Sequence, residues 1–101
     1  MTSLEIVFSD GAENDFNQIA EWYKEIREGL DLDFILCLEI ELELIRRNYL
    51  SFKEIKNSIR RTVMHRFPYN VYYTFDEKIV VLGIIHHKRS KNTISKKLKR
   101  K

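Results

Sequence analysis

Leu4, Ile6 and Phe8 alternate with polar Glu5 and apolar Val7, a short β-prone segment that Ser9-Asp10-Gly11 ends. Asp10 and Glu13 then stand at capping-box spacing, with Asp in the role usually taken by Ser or Thr. Apolar residues at positions 12, 16, 19, 20, 23, 26 and 30 follow at helical period, which predicts a helix to about Glu28. Gly29 falls where a C-cap glycine belongs. Asp31 or Asp33 caps a second helix to about Asn48. That segment carries two periods. Leu38, Ile40, Leu42 and Leu44 alternate with Glu39, Glu41 and Glu43, as in a strand. Ile35, Leu38, Leu42, Ile45 and Tyr49 also make a helical stripe. Leu and Glu favour helix and the segment is too long for a strand, so a helical hairpin is expected.

After Tyr49 the pattern shifts. Residues 49–58 read as irregular or a weak strand. Residues 59–64 and 69–75 read as strands, the latter with Tyr69, Val71, Tyr73 and Phe75 on one face. Asp76-Glu77 is read as a two-residue turn, and 79–85, apolar on both faces, as a central strand. The order β-α-α-β-β-β is that of an α+β domain, with the helical hairpin packed on a mostly antiparallel sheet. Residues 1–90 form the domain. Residues 91–101 form a basic tail, either disordered or a short helix through Ile94 and Leu98.

At 101 residues the chain has the length of one domain. Its longest apolar run is short of the roughly 20 residues a bilayer span needs, so no membrane segment is expected. No signal peptide is read at the N-terminus, and a lone Cys37 in an apolar helix reads as a core thiol in a reducing cytoplasm. Charge changes the picture more. The net charge is only +3, yet residues 1–45 hold two basic and twelve acidic side chains, and residues 46–101 sixteen and three. A basic surface therefore adjoins an acidic one, which points to an anionic partner, nucleic acid or an acidic protein segment. The tail from Lys91 onward has a plainer reading, a solvated solubilising end.

If Asp76-Glu77 is the turn, Arg66 lies opposite His87 and Phe67 opposite His86, so Arg66, His86 and His87 gather at one sheet end, followed by Lys88 and Arg89. Arg60 and Arg61 join from the neighbouring strand. Imidazoles and a guanidinium suit metal-independent RNA cleavage, with proton transfer and phosphate binding. They equally suit a binding edge without chemistry, or a strand end at which Arg66 pairs with Glu54 or Asp76. Zinc-type spacing and Ser-His-Asp or Cys-His logic are missing, so neither metal nor cofactor is expected. Trp22-Tyr23 reads as core and rim packing.

RRTVMHRFPYNVYY (60–73) followed by IVVLGIIHHKR (79–89) resembles the C-terminal half of the RelE/ParE superfamily of bacterial type II toxins. The carrying features are an Arg-rich strand, then Phe67-Pro68-Tyr69, then an apolar strand ending in the His-x-x-Arg pattern of His86 to Arg89. The hairpin with Trp22-Tyr23 and the Asn48-Tyr49 exit are similar to the N-terminal half. The resemblance covers residues 1 to about 90. It implies a toxin held inactive by a cognate antitoxin, as a homodimer or a toxin–antitoxin hetero-oligomer, in plasmid stabilisation. The target is DNA gyrase in the ParE-like branch, or the ribosome and its messenger RNA in the nuclease branch. For a nuclease, the resemblance puts Arg66 on the phosphate and His86 or His87 at the acid position. Arg60, Arg61, Lys88 and Arg89 then meet the target, Arg61 and Arg89 matching basic positions of both branches. The nuclease branch also has a Lys or Glu base before Ile59, and Lys53, Glu54 and Lys56 stand there outside any recognisable motif. Phe67-Pro68-Tyr69 is more typical of the ParE-like side, which is favoured, and a Trp often found after His-x-x-Arg is missing, with Ile94 nearby instead.

Overall fold

The computed structural model describes residues 4–99. The element order is β1 (Ile6–Phe8), α1 (Asp10–Ile26), α2 (Leu30–Asn48), β2 (Glu54–Lys56), β3 (Ile59–Val63), β4 (Tyr69–Phe75), β5 (Ile79–His86) and α3 (Lys91–Lys99). The strands form one sheet in the order β1-β5-β4-β3-β2. Only the β1–β5 pair is parallel, because the whole helical hairpin intervenes between β1 and the later strands.

Ser9, not Asp10, caps α1: its hydroxyl accepts the Ala12 N–H at 3.1 Å. Asp10 moves into the first turn, where a carboxylate faces the positive end of the helix dipole. The helix ends at Ile26, two residues early. Only residues 27–29 are left to reverse the chain, and Gly29 does so at φ +86°, a left-handed conformation that other residues adopt at a cost. The Gly29 carbonyl accepts from Leu32 and Asp33 N–H, so α2 starts at Leu30 without a side-chain cap. Asp31 and Asp33 therefore sit in its first turn rather than at the cap.

The doubly periodic segment is helical throughout. Phe34, Leu38 and Ile45 bury against the sheet with Leu42 and Tyr49 alongside. Ile40 and Leu44, which produced the strand-like alternation, lie on the outer face, 64% and 40% exposed. The hairpin covers the sheet face bearing Tyr69, Val71, Tyr73, Val81 and Ile84. An aromatic knot joins the layers: Phe34 lies 5.7 Å from Tyr23, 5.4 Å from Phe67 and 5.8 Å from Tyr69, centroid to centroid. Cys37 is half-buried against the same core. Trp22 is 55% exposed, so of the Trp22-Tyr23 pair only the tyrosine belongs to the core.

The β4–β5 register differs from the expected one. Phe75 pairs with Ile79, so the turn contains three residues, Asp76 to Lys78, closed by Asp76 N–H on the Lys78 carbonyl. Tyr72 pairs with Gly83 and Tyr73 with Val81, which leaves Leu82 as an extra residue in β5. The bulge changes the parity of β5: Ile79 and Val81 face the core before it and Ile84 after it. That is one reason the strand reads as apolar on both faces. The result is that His86 pairs with Tyr69, not Phe67. The last strand-like residues of the expected 59–64 segment also shorten, since β3 stops at Val63.

Candidate functional site

Two basic regions emerge where one was expected. At the end of β5, His86 pairs with Tyr69 and His87 donates its backbone N–H to the Pro68 carbonyl at 3.0 Å. The two imidazole rings lie 5.0 Å apart, tilted by 38°, and the chain turns through Lys88 and Arg89 as Arg89 N–H returns to the His86 carbonyl. Arg66 lies in the loop between β3 and β4, at this same end. It is exposed, its guanidinium 6.0 Å from the Phe67 ring, and among the described residues it forms no ion pair. Arg66 is thus near the histidine turn without standing opposite His87.

His86 is the most constrained member. Its Nδ1 accepts the Lys88 backbone N–H at 3.1 Å, and its ring meets Tyr69 edge-on at 5.5 Å. Burial, then His87, Lys88 and Arg89, hold its pKa below the ordinary 6.5. An Nδ1 that accepts a hydrogen bond carries no proton, so the neutral ring has its hydrogen on Nε2. Burial also pushes the neighbouring Tyr69 phenol well above its usual range, with a further upward contribution from Tyr23.

Arg60 leaves this end altogether. It pairs with Tyr73, two-thirds of the way along β4, and donates to the Leu50 and Phe52 carbonyls at 3.2 and 2.6 Å. Glu54 lies 3.8 Å away and the Phe75 ring 5.5 Å below. Its work is to hold the irregular exit of α2 against the sheet. Arg61, one residue on, points to the opposite face beside Tyr72. There it lines a groove between α3 and the β2–β3 edge, together with Lys53, Lys56, Lys91 and Lys99.

The structure also builds a feature at β5 that patterning missed. β1 pairs with Ile79 to Val81, and Ser9 carries the contact on to the Leu82 carbonyl, so β1 ends before the last part of the β5 edge. Asp15, 3% exposed on α1, fills it by accepting the Ile84 N–H at 3.1 Å. Its other oxygen meets Lys97 Nζ of α3 at 3.2 Å. Arg89, Tyr69 and His86 share a small cavity of about 120 Å³ with this pair. Among the described residues no three His, Cys, Asp or Glu side chains converge as metal donors, and no helix is long and apolar enough to cross a membrane.

The family model for the ParE toxin of the type II toxin–antitoxin system parDE matches residues 6–91. The chain belongs to the ParE toxin family. A solved structure, the chromosomal ParDE TA system from P. aeruginosa, superposes with a TM-score of 0.70 at 13% identity. The alignment covers 83% of this chain and 96% of that one, a likeness of fold. A search of curated protein sequences finds no match. On this ParE scaffold, the sequence reading brought Arg66, His86, His87, Lys88 and Arg89 to one end, and the structure does the same. It separates Arg60 and Arg61 from them and from each other. Asp15 and Lys97 were missed because they lie 82 residues apart and belong to no motif. The one available signal was a lone acid, Asp15, on the apolar face of α1, between Ala12 and Ile19.

Proposed function

We propose that this chain is a ParE-type toxin that acts on DNA gyrase in the cytoplasm and is neutralised by a cognate antitoxin. The observation that carries the choice of target is the state of His86. Its Nδ1 lone pair is engaged by Lys88 N–H and its pKa is depressed, so at neutral pH the ring is neither a ready acid nor a free base. A nuclease acting through His86 needs one or both of those roles, whereas a binding end needs only the positive charge of Arg66, Lys88 and Arg89. Family membership supports the same reading.

The test is induction in growing bacteria followed by two readouts. Gyrase poisoning gives double-strand DNA breaks and an SOS response with intact messages. Cleavage of messages at codon positions, abolished by Arg66→Ala or His86→Ala with the fold intact, would instead establish the ribosome-dependent endoribonuclease reading with Arg66, His86 and His87 as its catalytic residues. Co-expression of a cognate antitoxin should restore growth.

A further inference from the structure

Trp22 is the single tryptophan of the chain, and it is 55% exposed. A side chain of that size is ordinarily well covered. Its indole leans on the Tyr23 ring at 5.1 Å, the two planes tilted by 58°. Tyr23, Phe67 and Tyr69 are themselves closed over, at 7–8% exposure, and give the indole a rigid backing.

The same backing carries the basic end of the sheet. Tyr23 meets Phe67 at 5.1 Å, and the Arg66 guanidinium lies 6.0 Å from that Phe67 ring. Tyr23 also meets Tyr69 at 6.3 Å, and Tyr69 meets His86 at 5.5 Å. One turn before Trp22 on α1, Gln18 shares the small cavity with Tyr69, His86 and Arg89. The tryptophan and the cations therefore border one surface. Arg66, Lys88 and Arg89 are exposed there, and among the described residues they form no ion pair. Glu21 and Glu25, exposed on α1, keep an anion from running along the helix, so it approaches from the cationic side.

We infer that this surface is a contact for single-stranded DNA, in which one unpaired base stacks on the Trp22 indole and the flanking phosphates meet Arg66, Lys88 and Arg89. An exposed aromatic beside unpaired cations holds a strand because every base has a π-face and every link a charge. An acidic peptide supplies the charge, but its apolar anchors need a recess. None opens behind Trp22: the aromatic backing is closed, and the cavity beside it is small, with Asp15, Lys97 and Arg89 on its wall. A closed duplex keeps its bases stacked on one another and offers phosphates alone. The contact rests on the reading of this end as a binding end rather than a nuclease centre, and adds the class of ligand.

The test uses the full chain and oligothymidine DNA of about 12 nucleotides. With one tryptophan in the chain, indole emission reports the contact directly. Saturable quenching that weakens as salt rises is expected. With a fluorescein-labelled strand, followed by anisotropy, Trp22→Ala should bind about tenfold more weakly at an unchanged circular dichroism spectrum, and Trp22→Phe should recover most of the loss. Arg66→Ala/Arg89→Ala should weaken binding and flatten its salt slope by about 0.7 for each cation removed. Wild-type affinity in Trp22→Ala, or binding without quenching, overturns the contact. So does loss of binding in Lys53→Glu/Lys91→Glu while Arg66→Ala/Arg89→Ala binds normally, which would seat the strand in the α3 groove against the Arg61 guanidinium. A duplex of equal length that binds as tightly, or a Leu-Glu peptide that quenches as strongly, overturns it too. RNA of equal length that binds about tenfold more tightly overturns DNA as the ligand. Strand binding by a chain that spares gyrase would defeat the target reading alone. Gyrase poisoning by a chain that does not bind the strand would defeat this contact alone.

Discussion

The helical hairpin and the groove under α3 are opposite in charge, and they handle that charge differently. On the hairpin, Glu43 accepts from Arg46 and Arg47 one turn later, which lowers its carboxyl below the usual range. Arg27 likewise meets Asp33 at 3.8 Å. Glu43 thus finds its cations on its own helix and Asp33 finds one in the turn between the helices, while the outer face shows Leu32, Leu36, Ile40 and Leu44 at successive turns, 40–64% exposed. In the groove Lys53, Lys56, Arg61, Lys91 and Lys99 form no ion pair among the described residues, and the apolar side chains are half-buried. A convex apolar stripe is selective mainly for shape and area, while a concave charged cleft selects for sign. One small domain can therefore present two faces that suit different partner segments.

The strongest way to break this comparison is to part the two regions. Phe34 is fully buried where the hairpin meets the sheet, with four aromatic neighbours. Phe34→Ala should cost about 3–5 kcal/mol, a large share of the roughly 5–15 kcal/mol that holds a domain of this kind together. Urea unfolding should show a midpoint near collapse, and a loss under about 1 kcal/mol would mean the layers are held elsewhere.

A smaller effect is expected at the junction between α1 and α3. Lys97→Met removes the ammonium that meets the buried Asp15 carboxylate at 3.2 Å. Removing one partner of a buried ion pair costs about 3–5 kcal/mol, and the 23% exposure of the Lys97 side chain brings the expectation here to about 2 kcal/mol. Hydrogen exchange should also speed up across 91–99, detaching one groove wall from the core. Exchange unchanged there would mean that α3 is held by its apolar contacts alone. At the α2 exit, Tyr73 donates its hydroxyl to the Tyr49 carbonyl at 2.7 Å, and burial pushes its phenol up to about 12. Tyr73→Phe should cost about 1 kcal/mol by denaturant unfolding, and a neutral result would show that water replaces the bond freely.

These residues also mark what patterning can and cannot read. The helical hairpin was legible because Phe34, Leu38 and Ile45 repeat at the helical period, and β4 because Tyr69, Val71 and Tyr73 repeat at the strand period. The basic end was legible because Arg66 and His86 flank consecutive strands that had to pair. Register was not, since one extra residue at Leu82 and one in the Asp76 to Lys78 turn leave no periodic trace. Nor was the division of Arg60 from Arg61 foreseen, although adjacent strand residues must face opposite ways once the segment is accepted as β3. The Asp15–Lys97 pair depends on how far β1 runs along β5, a quantity that no local pattern encodes.

The finest distinction between the regions concerns protons. In the native chain His86 titrates below 6.5, because burial and the nearby His87, Lys88 and Arg89 disfavour its cation. The unfolded chain has the ordinary value, so between the native pKa and about 6.5 it binds more protons than the folded one. The stability contributed by the neutral ring is therefore fully present above about 6.5 and is lost as pH falls through that value toward the native pKa. His86→Gln should reduce the loss of stability between about pH 8 and about pH 5, a small difference measured by paired urea titrations. Proton NMR of the ring Hε1 gives the native pKa directly. A value at or above 6.5 would break the Lys88 N–H to Nδ1 account, because a protonated Nδ1 cannot accept that bond. It would also return an imidazolium to this end near neutral pH, and with it the acid that a nuclease requires.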